Sequence, residues 1–190
     1  MRAGVVFGCV AVAFGIAGSV SAADMQSTPA PAPKIFDELR FGGVASVQNG
    51  GEHESGVFPE VYALFNPFGY NPTDDWRTQL RHPRLHLGTS VSTTGEATQF
   101  YGGFSWTLTF PSKIFVEAGF GGTVHTGNLE SGDGPHLGCR ALFREYFGTG
   151  YNFDSHWSLM AQISHASHAN LCDGPNNGMT RAGLLVGYKF

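Results

Sequence analysis

Charge is scarce in this chain of 190 residues, because Asp, Glu, Lys and Arg make up only 14% of it, against about a quarter in an ordinary soluble domain. The net charge of −4 lacks the basic surplus that nucleic-acid binding requires, so no nucleic-acid partner is expected. Low charge together with a mean hydropathy of only −0.09 excludes a bundle of membrane-spanning helices, which needs long runs of about twenty apolar residues. The aromatic content of 13% excludes a disordered chain.

Glycine and aromatic residues are abundant, and the apolar positions alternate with period two. Glycine accounts for 27 residues, roughly double its usual share. No segment shows a convincing helical period. The alternation, bounded by Gly, Pro, Asn and Asp, predicts eight strands. Their predicted bounds are 37–48, 57–66, 83–92, 98–110, 113–124, 137–153, 157–168 and 179–190.

Each predicted strand has one apolar face and one small or polar face, which fits two architectures. In a secreted β-sandwich the apolar face would point inward, whereas in an outer-membrane barrel it would face lipid. The barrel is favoured because Phe110, Trp157, Tyr188 and Phe190 lie at strand ends, where an interface girdle requires aromatics. We therefore predict an all-β fold, an eight-stranded antiparallel transmembrane β-barrel of the outer membrane. The long connection 67–82 fits less well, since periplasmic turns are normally short.

The N-terminus has the features of a targeting segment. A positive start is followed by the apolar core 5–17 and by small residues that favour cleavage after Ala22. We assign residues 1–22 to a signal peptide, 23–34 to a Pro/Ala-rich leader and 35–190 to the barrel. Removal of the signal peptide leaves two cysteines, Cys139 and Cys172. In an oxidising compartment they could form one disulfide or remain two separate buried thiols.

The seventh strand carries a candidate catalytic pair. If both termini are periplasmic, this strand ends at the cell surface. His165 and Ser167 share parity with its apolar residues and so face lipid. His165 then lies about 20 Å up an apolar band ~25 Å tall. A lipid-facing imidazole two residues from a hydroxyl is the base-plus-nucleophile arrangement of acyl-transfer hydrolases. The alternative is a hydrated polar pair at the membrane rim.

The stretch from His165 through Gly178 into the last strand resembles the lipid A 3-O-deacylase (PagL) family. Its members carry a His-x-Ser-Asn-Ala motif on the penultimate strand and an Asn in a following Pro-Asn-x-Gly turn. The resemblance covers most of the barrel and is specific in the last thirty or so residues. It implies an outer-membrane esterase that removes the ester-linked 3-hydroxyacyl chain at position 3 of lipid A, in which His165 is the general base, Ser167 the nucleophile and Asn176 an oxyanion ligand.

Two positions depart from the family pattern, because His168 replaces the motif asparagine and Thr180 replaces the glutamate that orients the base. A three-residue turn at 154–156 would place Glu145 directly opposite His165, close enough to take over the orienting role. The alternative is that Glu145 pairs with Arg144 or reaches the head groups. Asp173 is a second candidate carboxylate.

The resemblance also implies partners. Lipopolysaccharide is the expected substrate, and the outer membrane is the expected location. The aromatic-ended last strand resembles the signal read by the barrel assembly machinery. We expect no shared metal, because His165 and His168 point to opposite faces of a strand. The hydrolysis that the resemblance implies needs no metal and no organic cofactor. A homodimer is left open. The competing hypothesis is a non-catalytic barrel that acts as an adhesin, resistance factor or structural protein.

Overall fold

Eight antiparallel strands close into a barrel in this computed structural model, which describes residues 35–190. The predicted signal peptide and leader lie outside the described residues. The strands are β1 (Phe36–Ser46), β2 (Val57–Phe65), β3 (Arg84–Ser90), β4 (Gln99–Thr109), β5 (Ile114–His125), β6 (Ala141–Asn152), β7 (Trp157–Ser167) and β8 (Met179–Lys189). Each strand pairs with the next, and β1 pairs with β8. The predicted fold class and all eight strands are confirmed.

The barrel wall alternates between an apolar outer face and a polar inner face. On β7 the inner residues Met160, Gln162 and Ser164 are buried, whereas the outer residues Leu159 and Ile163 are exposed. An exposed apolar face is expensive in water but favourable in a bilayer. The outer wall, meaning all the outward-facing side chains of the strands, is therefore the lipid-facing surface.

Paired charges fill the barrel interior toward the end at which β1, β3 and β5 begin. Arg40 contacts Glu38 at 2.8 Å and Glu117 at 2.7 Å. Arg84 contacts the same two carboxylates at 2.9 and 2.8 Å. All four side chains are buried, and such charges are tolerated only when they are paired and hydrogen-bonded. Because this network occupies the lumen, it does not fit a porin-like channel.

The barrel end that carries both described termini, here the terminal end, is ringed by aromatics. The rings of Trp157 and Tyr188 are 4.8 Å apart, and those of Tyr188 and Phe190 are 5.1 Å apart. Phe36 of β1 continues the ring, 4.7 Å from Phe190. This arrangement fits an aromatic girdle at a membrane interface.

The expectation that the chain has no helix is wrong. Helix α1 (Trp76–Arg81) lies in the long connection between β2 and β3, at the terminal end. Asp75 caps it by accepting hydrogen bonds from the N–H groups of Arg77 and Thr78. The Thr78 hydroxyl, and after it these two N–H groups, lower the pKa of the Asp75 carboxyl. Six residues are too few for a helical period to show in the sequence. No helix among residues 35–190 is long and apolar enough to cross a membrane.

The start of β6 also differs from the predicted bounds. The prediction began at Leu137, but the strand begins at Ala141. The N–H groups of Leu137 and Gly138 instead donate to the carbonyls of Asn128 and Leu129, within the connection 126–140. Gly138 has a φ of +67°, which breaks the extended backbone.

Candidate active site

His165 and Ser167 lie on the outer wall at the far end of β7, as their parity predicted. Both are half-buried, whereas the apolar outer residues below them are exposed. The connection 168–178, here called the site loop, follows Ser167 directly and leads into β8. The pair therefore lies at the boundary between the lipid-facing wall and a folded loop.

Thr180 holds the imidazole of His165. The two residues are direct partners across β7 and β8, and His165 Nδ1 is 2.8 Å from Thr180 Oγ1. When Nδ1–H donates this bond, Nε2 keeps a free lone pair and can accept a proton. The Thr180 hydroxyl thus orients the ring without adding charge.

Gly178 leaves room for the Cε1–Nε2 edge of that ring. Its φ is +68°, a conformation that favours glycine. A Cβ at this position would lie 2.7 Å from His165 Cε1 and 3.1 Å from Nε2. Any larger residue at the glycine position of the Pro175-Asn176-Asn177-Gly178 turn would therefore collide with the His165 ring.

The predicted register around Glu145 is confirmed. Glu145 pairs directly with His165 across β6 and β7. At the strand ends, Phe153 N–H donates to the Trp157 carbonyl, which leaves the predicted three-residue turn 154–156. Glu145 is exposed on the outer wall and has no hydrogen bond or ion pair within the described part of the chain. Arg144 points into the barrel, where it contacts Glu60 at 3.3 Å, so it does not neutralise Glu145. Asp173 is exposed in the site loop.

Asn176 is bound within the site loop by two hydrogen bonds. Its Oδ1 accepts a hydrogen bond from the N–H of His168 at 3.2 Å. Its Nδ2 donates to Asn170 Oδ1 at 3.3 Å. An amide Nδ2 carries two hydrogens, so one remains for another acceptor. The backbone N–H that follows Ser167 is engaged with Asn176 in this arrangement.

The cysteines form a disulfide, Cys139–Cys172, which decides between the two alternatives left by the sequence. It joins the connection 126–140 to the site loop. The two sulfurs and a nitrogen of His168 lie within 4.8 Å of one another. His168 is buried, and its Nε2 lies 3.1 Å from the carbonyl oxygen of Pro175. The sequence indicated no role for His168. The structure shows that its ring contacts Pro175 and that its backbone N–H binds Asn176.

An apolar groove of about 370 Å³ lies beside the pair on the outer wall. Phe143, the direct partner of Ser167 across β6 and β7, lines it, and its ring stacks on that of Phe120 at 5.9 Å. Leu171 of the site loop lines the groove and is 75% exposed. A saturated hydrocarbon chain fits the chemistry of these walls.

A closed barrel with a charged interior, an apolar outer wall and an aromatic girdle defines an integral outer-membrane protein. Its polar cluster at the edge of the lipid-facing surface is unusual, since such groups are costly there and generally functional.

The comparisons identify the family. The model of the lipid A 3-O-deacylase (PagL) family matches residues 62–189, and the chain belongs to this family of lipid A deacylases. A crystal structure of the outer membrane enzyme PagL is similar, with a TM-score of 0.63 and 19% identity. The likeness covers 79% of this chain and 97% of that one, and it shows the same fold. No curated protein matches the sequence.

Proposed function

We propose that this protein hydrolyses the ester that links a 3-hydroxyacyl chain to position 3 of lipid A. The observation that carries the proposal is the His165–Ser167 pair on the lipid-facing wall, with the imidazole held at Nδ1 by Thr180 at 2.8 Å. Family membership supplies the substrate class.

Ser167 is the proposed nucleophile and His165 the general base. Ser167 Oγ attacks the ester carbonyl carbon while His165 Nε2 takes the hydroxyl proton. The tetrahedral intermediate collapses, the bond between the acyl carbon and the sugar oxygen breaks, and His165 gives its proton to that departing oxygen, which becomes the sugar hydroxyl. Water, activated by the same imidazole, then cleaves the acyl-enzyme and releases the 3-hydroxy fatty acid.

Asn176 is the proposed oxyanion ligand. One Nδ2 hydrogen is donated to Asn170 Oδ1. The other can be donated to the negative oxygen of the tetrahedral intermediate. Donors held in place before the reaction are effective because they need no reorganisation as the charge develops.

The role of the family glutamate is divided between two residues in this proposal. Thr180 orients the ring, and Glu145 supplies the negative charge that an imidazolium requires. Support for Glu145 comes from its position directly opposite His165 and from the lack of another described partner. A carboxylate on a lipid-facing wall is costly unless it serves such a role.

The position of the pair matches the geometry of lipid A. Acyl chains lying beside the barrel contact the outer wall, and the groove at Phe120 and Phe143 can hold the chain that is to be released. The ester bonds then lie at the level of the sugar, where the strand ends and the site loop begins. Insertion by the barrel assembly machinery, guided by the aromatic end of β8, belongs to the same proposal.

Mass spectrometry of lipid A tests this function. Cells expressing the wild-type protein should lose one 3-hydroxyacyl chain from lipid A, and cells expressing Ser167→Ala or His165→Ala should not. Ser164→Ala is the matched control, because Ser164 lies on the same strand but faces the barrel interior; it should retain activity. Unchanged lipid A with a correctly inserted wild-type barrel, in detergent extracts as well as in cells, would instead support a non-catalytic barrel.

A further inference from the structure

The connection 126–140, here called the clamp loop, is bound to the site loop by a covalent bond and two hydrogen bonds. The covalent bond is the disulfide Cys139–Cys172. Asn177 N–H donates to the His136 carbonyl at 3.1 Å, and His136 N–H donates to the side-chain Oδ1 of Asn177 at 2.9 Å. These two attachments flank Asn176 in the sequence, at Cys172 and at Asn177.

The site loop has a conformation that requires such support. Ala169 and Asn170, the second and third residues after Ser167, have φ values of +49° and +60°. Residues other than glycine are seldom found in this left-handed region. Two such residues in succession cost conformational free energy, which contacts with the surroundings must offset. The backbone just after the proposed nucleophile is thus held in shape by its contacts.

The clamp loop also packs against the groups that hold Asn176. Gly138 lies so close to the site loop that a Cβ there would be 2.6 Å from the Pro175 carbonyl oxygen and 2.8 Å from His168 Nε2. His168 in turn donates its backbone N–H to Asn176 Oδ1. A displacement of the clamp loop would therefore be transmitted to Asn176.

We propose that the Cys139–Cys172 disulfide is a positioning element for the oxyanion side of the active site. This inference rests on the proposed function. The bond fixes the clamp loop to the site loop and so keeps Asn176 bound to the backbone N–H that follows Ser167. When dithiothreitol reduces it, the S–S bond breaks, two thiols form, and the reagent becomes its cyclic disulfide. The site loop then relaxes, and Asn176 loses its fixed place.

The expected consequence is a lower kcat with little change in KM. Asn176 contacts the transition state and not the acyl chain, so loss of its position removes an interaction made only as charge develops. Removal of one oxyanion donor lowers kcat by about 10²–10³-fold. A donor that is loosened but still present should cost less, and we expect a fall of about ten- to fifty-fold.

Steady-state kinetics of the full mature protein in detergent, with purified lipid A as substrate, tests the inference. The set comprises the wild type with and without dithiothreitol, the Cys139→Ser/Cys172→Ser variant, Asn176→Ala and the combined triple variant. Heat-modified gel mobility reports whether each barrel is folded. Glu130→Gln, an exposed change in the clamp loop, is the matched control and should keep the wild-type kcat.

Dithiothreitol should lower the kcat of the wild type and leave the cysteine-free variant unchanged. In the Asn176→Ala background, cysteine substitution should cost less than threefold, because both changes remove the same interaction. Equal kcat for wild type and the cysteine-free variant would overturn the inference, as would losses that multiply in the triple variant. Inhibition by EDTA, together with Zn²⁺ bound by the reduced protein, would also overturn it in favour of a metal site at the two cysteines and His168.

The two levels of the proposal fail in distinguishable ways. If the folded wild type with its disulfide intact does not cleave lipid A, the proposed function fails. If the wild type is active, Ser167→Ala is inactive and the cysteine-free variant is fully active, only the role of the disulfide fails.

Discussion

A carboxylate placed at position 180 should raise the kcat of lipid A deacylation. Thr180 Oγ1 lies 2.8 Å from His165 Nδ1, so a glutamate there would meet the same nitrogen with a negative charge. The charge has little effect on neutral histidine but stabilises the imidazolium that forms when Ser167 gives up its proton. Thr180→Glu therefore acts on the transition state and should raise kcat.

The size of the effect follows from the burial of the site. Two unit charges about 4 Å apart interact by about 4 kcal/mol at an effective dielectric constant of 20 and by about 1 kcal/mol in water. His165 and Thr180 are both half-buried, which places the interaction near 2 kcal/mol. Since 1.36 kcal/mol is a factor of ten in rate, we expect kcat to rise about thirty-fold.

Three variants at this position separate charge from hydrogen bonding. Thr180→Val removes the acceptor and should lower kcat about fivefold, the value of a neutral hydrogen bond near 1 kcal/mol. Thr180→Gln keeps an acceptor without the charge and should remain within a few-fold of the wild type. The measurement is the initial rate of lipid A deacylation in detergent. A Thr180→Glu variant that is folded but no faster than Thr180→Gln would refute this reasoning.

Further predictions concern the other parts of the site and the barrel core. Asn176→Ala should lower kcat by about 10²–10³-fold with KM nearly unchanged; an unchanged kcat would remove Asn176 from the oxyanion site. Glu145→Ala should lower the kcat of the otherwise wild-type protein, and it should lower the kcat of the Thr180→Glu variant much less, because the carboxylate at position 180 would then supply the charge. Equal losses of kcat in both backgrounds would show that Glu145 does not supply charge to His165. Gly178→Ala should abolish activity in a barrel that still shows heat-modified mobility, because the new methyl group meets the His165 ring; full activity would contradict that contact. Glu117→Ala leaves Arg40 and Arg84 short of one buried partner and should destabilise the barrel by about 3–5 kcal/mol, read as a lower unfolding midpoint in urea.

The barrel could be predicted from the sequence because strand parity repeats along the chain. Apolar side chains face lipid at every second position of each strand, so the strands can be identified from this alternation. The β6–β7 register then follows from the alternation and the turn length. The side on which His165 and Ser167 lie is set by the same parity, which is why their placement was confirmed.

The loops could not be predicted in this way. Helix α1 is held by the Asp75 cap and by the buried side chain of Gln79, which bonds the backbone of Thr109 across 30 positions of sequence. The disulfide spans 33 positions. The hydrogen bond between His165 and Thr180 depends on the rotamers of two side chains. Such contacts are made in three dimensions and leave no period in the sequence.

Covalent trapping of Ser167 tests the central claim most directly. A long-chain alkylsulfonyl fluoride mimics an acyl chain with a reactive head, and attack by Ser167 Oγ forms an S–O bond and expels fluoride. Mass mapping of the purified barrel after this reaction should place one adduct on Ser167, with activity lost in proportion. The adduct should be absent in His165→Ala. A fully active enzyme with no adduct on Ser167, or an adduct on another residue that parallels inactivation, would contradict the assignment of the nucleophile.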